Sequence, residues 1–154
     1  MKFRYVSIEK LKYRNDGLSY ALILLGLAIN AIYFILLYQN NNNFYYALDI
    51  GFSIIYNLLF MLFIFLCAEN IKKYNCKYAY LSFAFGLMQI VRIFNYPKEA
   101  LNAGGLEQSQ YVVITILLIA SALSLILGSI TSVVKSTILK RFVEGKLEFA
   151  EDNE

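Results

Sequence analysis

Four polar side chains stand inside otherwise apolar stretches: Asn30, Asn57, Gln89 and Arg92. In a lipid-like medium an amide has no water to bond. An interhelical hydrogen bond formed there contributes about 0.6–2 kcal/mol. Bonding between helices is the first reading of these residues; a polar solute pathway and a contact to another subunit are the rivals. Gln89 and Arg92 are spaced to share one face of a helix. Arg92 is the sharpest of the four, since a guanidinium at the centre of a membrane helix costs about 2.5–3.5 kcal/mol on insertion scales. Its place shortly before Tyr96 lets it reach outer headgroups. Alternatively it pairs with Asp49, binds an anion or recognises another subunit.

A second pattern concerns packing. Ala120, Ser124, Gly128 and Ser132 recur every four residues, a small-x-x-x-small ladder that strips bulk from one helix face and lets a partner helix come close. Ser121, Ser129 and Thr131 add polarity to the same segment, and Gly26 offers a similar close contact elsewhere. The ladder does not specify whether its partner lies in this chain or another.

Catalytic patterns are missing. The chain has no histidine, and no phosphate-cradling glycine loop, H-E-x-x-H or G-x-S-x-G occurs. Cys67 and Cys76 form no C-x-x-C, so they read as small hydrophobes and not as zinc ligands. The absence of paired acids within the apolar runs weakens a proton-driven carrier. A serine of the ladder has no evident base beside it. The expectation is no catalytic residue, no cofactor and no metal.

The elements that must position these residues are four apolar runs, Leu18–Tyr38, Ala47–Ala68, Tyr78–Tyr96 and Tyr111–Val134. At 1.5 Å rise per residue, each can cross a hydrocarbon core of about 30 Å. The chain is 59% hydrophobic over 154 residues, with a mean hydropathy of +0.55. A soluble bundle would need amphipathic helices, whereas Leu22–Leu37 is interrupted only by Asn30 and Tyr33. The first run is also too long for a signal-peptide core, and no Ala-x-Ala site follows it. The expected fold is therefore all-α: a compact antiparallel four-transmembrane-helix bundle over 18–134. A basic interfacial segment, 1–17, precedes it and a charged tail, 135–154, follows. Asn15 or Asp16 caps the first helix, Asn40–Asn43 forms a loop, and Pro97 closes the third run. Ala103-Gly104-Gly105 loosens the longest connection.

Positive charge gives an orientation. Of the 14 Lys and Arg residues, all but Arg92 and Lys98 fall in the N-terminal segment, the hinge at Lys72, Lys73 and Lys77, or the C-terminal segment from Lys135. Under the positive-inside rule both termini are cytoplasmic and the protein belongs to the cell membrane. The net charge of +3 flanks apolar helices instead of lining a soluble face, so nucleic acid is not an expected partner. Among 13 tyrosines, Tyr20, Tyr38, Tyr45, Tyr46, Tyr78, Tyr96 and Tyr111 fall near run ends, as interfacial anchors do. The N-terminal segment interleaves Phe3, Tyr5, Val6, Ile8, Leu11 and Tyr13 with its charges. It can lie on an anionic leaflet or pack on a cytoplasmic partner. Runs one and three also share a faint 60-residue offset: Tyr20/Tyr80, Gly26-Leu27/Gly86-Leu87 and Phe34/Phe94.

Together these features lead to an expected role as a small accessory or scaffold subunit of a multicomponent membrane complex. Its partners would be the lipid bilayer and other membrane subunits or itself. A homo-oligomeric channel or small-solute transporter is the alternative, with a membrane enzyme behind both.

Overall fold

The computed structural model describes residues 16–39, 47–102 and 107–143, apart from a few side chains at helix ends. The described residues form four helices and no strand: α1 (Gly17–Gln39), α2 (Ala47–Ile71), α3 (Cys76–Asn102) and α4 (Gln108–Val143). Three of them are long and apolar enough to cross a membrane, over Gly17–Tyr38, Gly51–Ile71 and Gln108–Leu139. The N-terminal segment, Asn40–Asn43, Tyr45, Tyr46, Gly104, Gly105 and the acidic end of the chain lie outside the described residues.

Each helix runs antiparallel to the next, and α4 returns to lie against α1. The four contacts α1–α2, α2–α3, α3–α4 and α4–α1 close a ring, leaving α1 opposite α3 and α2 opposite α4. The packing is uneven: α4 makes the two broad contacts, and α2 is the least embraced helix. Glycines explain the difference. A Cβ on Gly128 would stand 2.8 Å from Ile23 Cγ1 of α1, and one on Gly86 would stand 2.7 Å from Ile126 Cγ1 across the α3–α4 contact. Gly26 also faces α4, with Leu125 Cγ and the Ser121 carbonyl at 3.0 and 3.2 Å from a Cβ built there. Only α2 lacks such a contact. Its Gly51 meets nothing, and the α2–α3 seam is made by aromatic edges, Phe60 on Phe85 at 5.3 Å and Phe63 on Phe85 at 6.2 Å.

One end of the bundle is tied by main-chain hydrogen bonds. After α2 the chain closes with the Asn75 N–H donating to the Asn70 carbonyl at 3.3 Å and the Tyr74 N–H to the Ile71 carbonyl at 2.8 Å. This is a Schellman closure, with Tyr74 at φ 60 in the left-handed position usually taken by glycine. The Asp16 N–H donates to the Lys72 carbonyl at 3.1 Å, so the start of α1 satisfies a carbonyl at the end of α2.

Two expectations about helix ends need correction. Pro97 does not close the third run, because α3 continues through it to Asn102. Proline removes one i→i−4 donor, but its fixed φ suits a helix, and such breaks are tolerated where neighbouring groups take up the freed carbonyl. That extension shortens the expected long connection to 103–107. The region from Lys135 is not simply a tail either: α4 carries on to Val143, and Ser136 on it is buried. The duplicated pattern is reflected only at Gly26 of α1 and Gly86 of α3, which both pack against α4. Phe94 is 71% exposed and Tyr80 61%, whereas Tyr20 and Phe34 are half-buried.

The ring of contacts makes a direct prediction. Gly128→Leu should lower the stability of the purified protein by about 1–3 kcal/mol, the usual cost of overpacking. Ala84→Leu, on an exposed position of α3, should leave it nearly unchanged. Thermal unfolding in mild detergent reads both; equal behaviour of the two variants would remove Gly128 from any tight contact.

Candidate functional site

The interior of the bundle is where the polar groups are. Ser19, Asn30, Asn57, Ser82, Gln89, Ser121, Ser124, Ser129 and Ser132 are all buried. Outward, Leu25, Ile32, Ile35, Leu58, Leu62, Leu81, Val91, Ile116, Leu123 and Leu127 are exposed. Among the described residues of the runs 18–38, 47–68, 78–96 and 111–134, no Ser, Thr, Asn or Gln is exposed. Water-soluble folds do the opposite and rarely leave large contiguous apolar patches. This polarity, with three helices of spanning length, suggests a membrane protein.

Across the middle, the Gln89 Nε2 of α3 donates to the Asn30 Oδ1 of α1 at 2.6 Å, and both residues are fully buried. The bond joins opposite helices and so crosses the bundle axis. Asn57 is buried on α2 but bonds its own helix, Nδ2 to the Ser53 carbonyl at 2.8 Å, so it bridges nothing. Beside the central pair, the α1–α4 contact carries hydroxyl bonds to main chain: Ser121 Oγ donates to the Gly26 carbonyl at 2.9 Å and Ser124 Oγ to the Leu22 carbonyl at 2.7 Å. Helix carbonyls are reachable from a neighbouring helix only when small residues let the backbones approach. Of the ladder, Ser124 and Gly128 face α1. Ser132 is buried with no protein partner for its hydroxyl, and Ala120 is half-buried.

At the end near the α2–α3 hinge, Lys135 Nζ of α4 lies 2.6 Å from Asp16 Oδ1, with Asp16 wholly buried. The Ser19 N–H also donates to Asp16 Oδ1 at 3.3 Å, which makes Asp16 the N-cap of α1. Ser19 Oγ meets Thr131 Oγ1 at 3.0 Å, Tyr20 OH donates to Glu69 Oε1 at 2.8 Å, and Lys72 Nζ sits 5.0 Å above the Tyr20 ring. Three helices, α1, α2 and α4, are thereby joined by charge and hydrogen bonds at one level. The cap at Asp16 is readable from sequence. Its ion pair with Lys135 is not, because nothing local signals a partner so far along the chain.

Arg92 is placed differently from its neighbours. Its guanidinium lies 4.9 Å from the Tyr33 ring centroid of α1 and 5.3 Å from that of Tyr56 on α2. Cation–π attraction of this kind contributes about 0.5–2 kcal/mol, more as water is excluded. Among the described residues it makes no hydrogen bond or ion pair, and its Nη1 is buried without an acceptor. The Asp49 side chain expected as its partner lies outside the described residues. The guanidinium borders a cavity of about 590 Å³ between α2 and α3, lined also by Phe52, Ser53, Tyr56, Leu87, Met88 and Val91.

No protein-family model matches the chain, and no curated protein or solved structure matches it.

The arrangement can hold helices together. Nothing among the described residues places a nucleophile, a base and an acceptor of developing charge together. Two measurements probe its bonds. In a double-mutant cycle on Asn30→Leu and Gln89→Leu, unfolding should show a coupling of about 0.6–2 kcal/mol, and zero coupling would mean the bond is not formed. Lys135→Met strands the Asp16 carboxylate. It should destabilise towards the lower end of the about 3–5 kcal/mol seen when a buried pair loses one member, since Lys135 keeps 30% exposure. Adding Asp16→Asn should recover part of that loss.

Proposed function

We propose that the chain is a four-pass protein of the cell membrane with both termini cytoplasmic. It serves as a small accessory or scaffold subunit of a multicomponent membrane complex and has no catalytic activity of its own. Support for a fourth pass comes from the outer face of α3. Tyr80, Leu81, Leu87, Met88, Ile90, Val91 and Phe94 are exposed, while Gln89 is fully buried. Hydropathy averages count Gln89 and Arg92 against α3 whatever their direction, yet lipid meets only the outer face. Support for the orientation comes from the basic hinge Lys72, Lys73 and Lys77 and from Lys135, Lys140 and Arg141 at the same end of the bundle.

The observation that carries the scaffold role is the closed interior. The Asn30–Gln89 bond crosses the bundle axis, and the Ser121, Ser124 and Ser129 hydroxyls of α4 are engaged on helix carbonyls. A solute path through one copy would have to break these bonds. A path between copies of a homo-oligomeric channel or transporter would run along the apolar outer faces, which offer few groups to replace a hydration shell. A bundle with a largely apolar exterior and charged ends suits docking among other membrane helices.

Two experiments test the proposal. On a Cys67→Ala/Cys76→Ala background, Asn42→Cys should react with an impermeant maleimide from outside intact cells, and Glu151→Cys only after permeabilisation. Equal labelling of both from outside would end the four-pass arrangement. Purification in mild detergent with intact-complex mass spectrometry should yield a defined heteromer, and the chain reconstituted alone should carry no flux. A pure homomer with reproducible flux, altered by Asn30→Leu or Gln89→Leu, would replace the scaffold reading with the channel or transporter.

A further inference from the structure

Among the described residues the buried Asp16 and the half-buried Glu69 both have partners, whereas the half-buried Arg92 has no acceptor for its buried Nη1. Asp16 has Lys135, and Glu69 has the Tyr20 hydroxyl. Arg92 has two aromatic faces and no acceptor. A guanidinium carries five N–H donors in a fixed fork, and ring faces balance its charge but accept none of those bonds in good geometry. Nor does simple reach to the headgroups account for it. Tyr33 and Tyr56 lie five to six residues from the midpoints of the Gly17–Tyr38 and Gly51–Ile71 segments. That is about 8 Å from the centre, against a hydrocarbon half-thickness of about 15 Å. The side chain is held at that depth between the rings, and its fork borders the α2–α3 groove.

The groove has the size and chemistry of a ligand site. Its volume of about 590 Å³ falls in the usual range of about 300–1,000 Å³. Apart from Ser53, whose hydroxyl is taken by Tyr38, its walls are Phe52, Tyr56, Leu87, Met88 and Val91, aromatic or aliphatic and exposed on the outer face. α2 and α3 touch through Phe60, Phe63 and Phe85 nearer the hinge, so the groove occupies the far half of the seam, where no such stacking closes it. An apolar trough that opens sideways, with one unsatisfied cation at its wall, complements an amphiphile of opposite charge.

We propose that the α2–α3 groove binds one anionic membrane lipid per chain. An acyl chain lies along Phe52, Leu87, Met88 and Val91, and the phosphodiester accepts hydrogen bonds from Arg92. Tyr33 and Tyr56 hold the guanidinium in plane for a bidentate contact, the geometry in which arginine binds phosphate best. Local thinning and water entry at a buried arginine bring the headgroup down to meet it. The proposal rests on α3 lying in the bilayer and is independent of the scaffold role.

The test uses the full chain, delipidated in mild detergent and titrated with phosphatidylglycerol or phosphatidylcholine of identical acyl chains, with native mass spectrometry as the readout. One phosphatidylglycerol should be retained per chain, about tenfold more strongly than phosphatidylcholine, because choline offsets the phosphodiester charge that glycerol leaves uncompensated; tenfold is the scale of one charge-assisted hydrogen bond. Arg92→Gln should abolish that preference, lowering phosphatidylglycerol retention more than that of phosphatidylcholine, whose choline already offsets the shared phosphodiester. Arg92→Lys, which keeps the charge but loses the planar fork, should keep only part of it. Val91→Trp, which fills the trough and leaves the charge intact, should reduce retention of both lipids. It serves as the deciding variant if Arg92→Gln does not fold. Inorganic phosphate at millimolar concentration should not displace the lipid; displacement would make the site one for free anions. Equal retention of the two lipids by the unaltered chain would overturn the proposal, as would an undiminished preference in Arg92→Gln or a co-purifying polypeptide that cross-links at Val91→Cys. None of these results depends on whether the chain also co-purifies with other subunits elsewhere on its surface.

Discussion

The close approach of α1 and α4 is the contact from which the rest of the bundle follows. Lipid tails are as apolar as leucine, so burying leucine between helices gains little, and association falls to packing and interhelical hydrogen bonds. Gly26 and Gly128 allow both. With no Cβ at those positions, the Ile23 and Leu125 side chains seat against the opposing backbone. The same closeness brings Ser121 and Ser124 within reach of the Gly26 and Leu22 carbonyls. Gly86 gives α3 a comparable seat on the neighbouring face of α4. α4 is thus clasped by α1 and α3, and α2 completes the ring through aromatic contacts and its ends. Asn30 and Gln89 then span the distance that the clasp fixes between the two opposed helices.

The two ends of the ring are not equivalent. At the hinge end, Asp16 caps α1, pairs with Lys135 on α4 and donates its N–H to the last turn of α2. A single residue there satisfies main-chain groups on two helices and a charge on a third. At the other end the α1–α2 connection between described side chains is the Tyr38–Ser53 hydrogen bond, and the α2–α3 seam opens into the groove beside Arg92. Local opening follows local contact density, so the far half of α2 is the part expected to move first. A lipid held at Arg92 would supply there what the Asp16 network supplies at the hinge.

Much of this was legible in the sequence, and the missing parts share a cause. The four helices follow from apolar runs and polar hinges, and the polar residues turned inward could be named one by one: Asn30, Asn57, Gln89 and Arg92. What a sequence does not carry is azimuth between distant helices. Asn30 meets Gln89 while Asn57, equally polar and equally central, folds back on the Ser53 carbonyl. The Asp16–Lys135 pair was hidden for the same reason, because its members sit at opposite ends of the chain and each has an ordinary local explanation, a cap and a flanking base. Gly86 was visible only as half of a faint repeat, though its neighbour across α3–α4 is closer than any at Gly26. Pro97 misled because its local rule, loss of one donor, is real but weaker than the continuity of a helix whose neighbours are already packed.

The distribution of polarity also bears on the kind of work the chain can do. A transporter must keep polar groups available to a moving solute, which means leaving some of them weakly engaged along a continuous line. Here the central amides engage each other across the axis, and Ser121 and Ser124 engage main-chain carbonyls. Buried polar atoms without a partner include Asn30 Nδ2 and Gln89 Oε1 within the central pair and Nη1 of Arg92, three residues from Gln89 on α3. Others are Ser82 Oγ on α3, Asn57 Oδ1 on α2, and Asp16 Oδ2, Ser132 Oγ and Ser136 Oγ towards the hinge end. Of these, only Arg92 combines a full charge with an opening to the outer face. The proposed lipid site lies there, along the seam that the glycines leave least tightly closed.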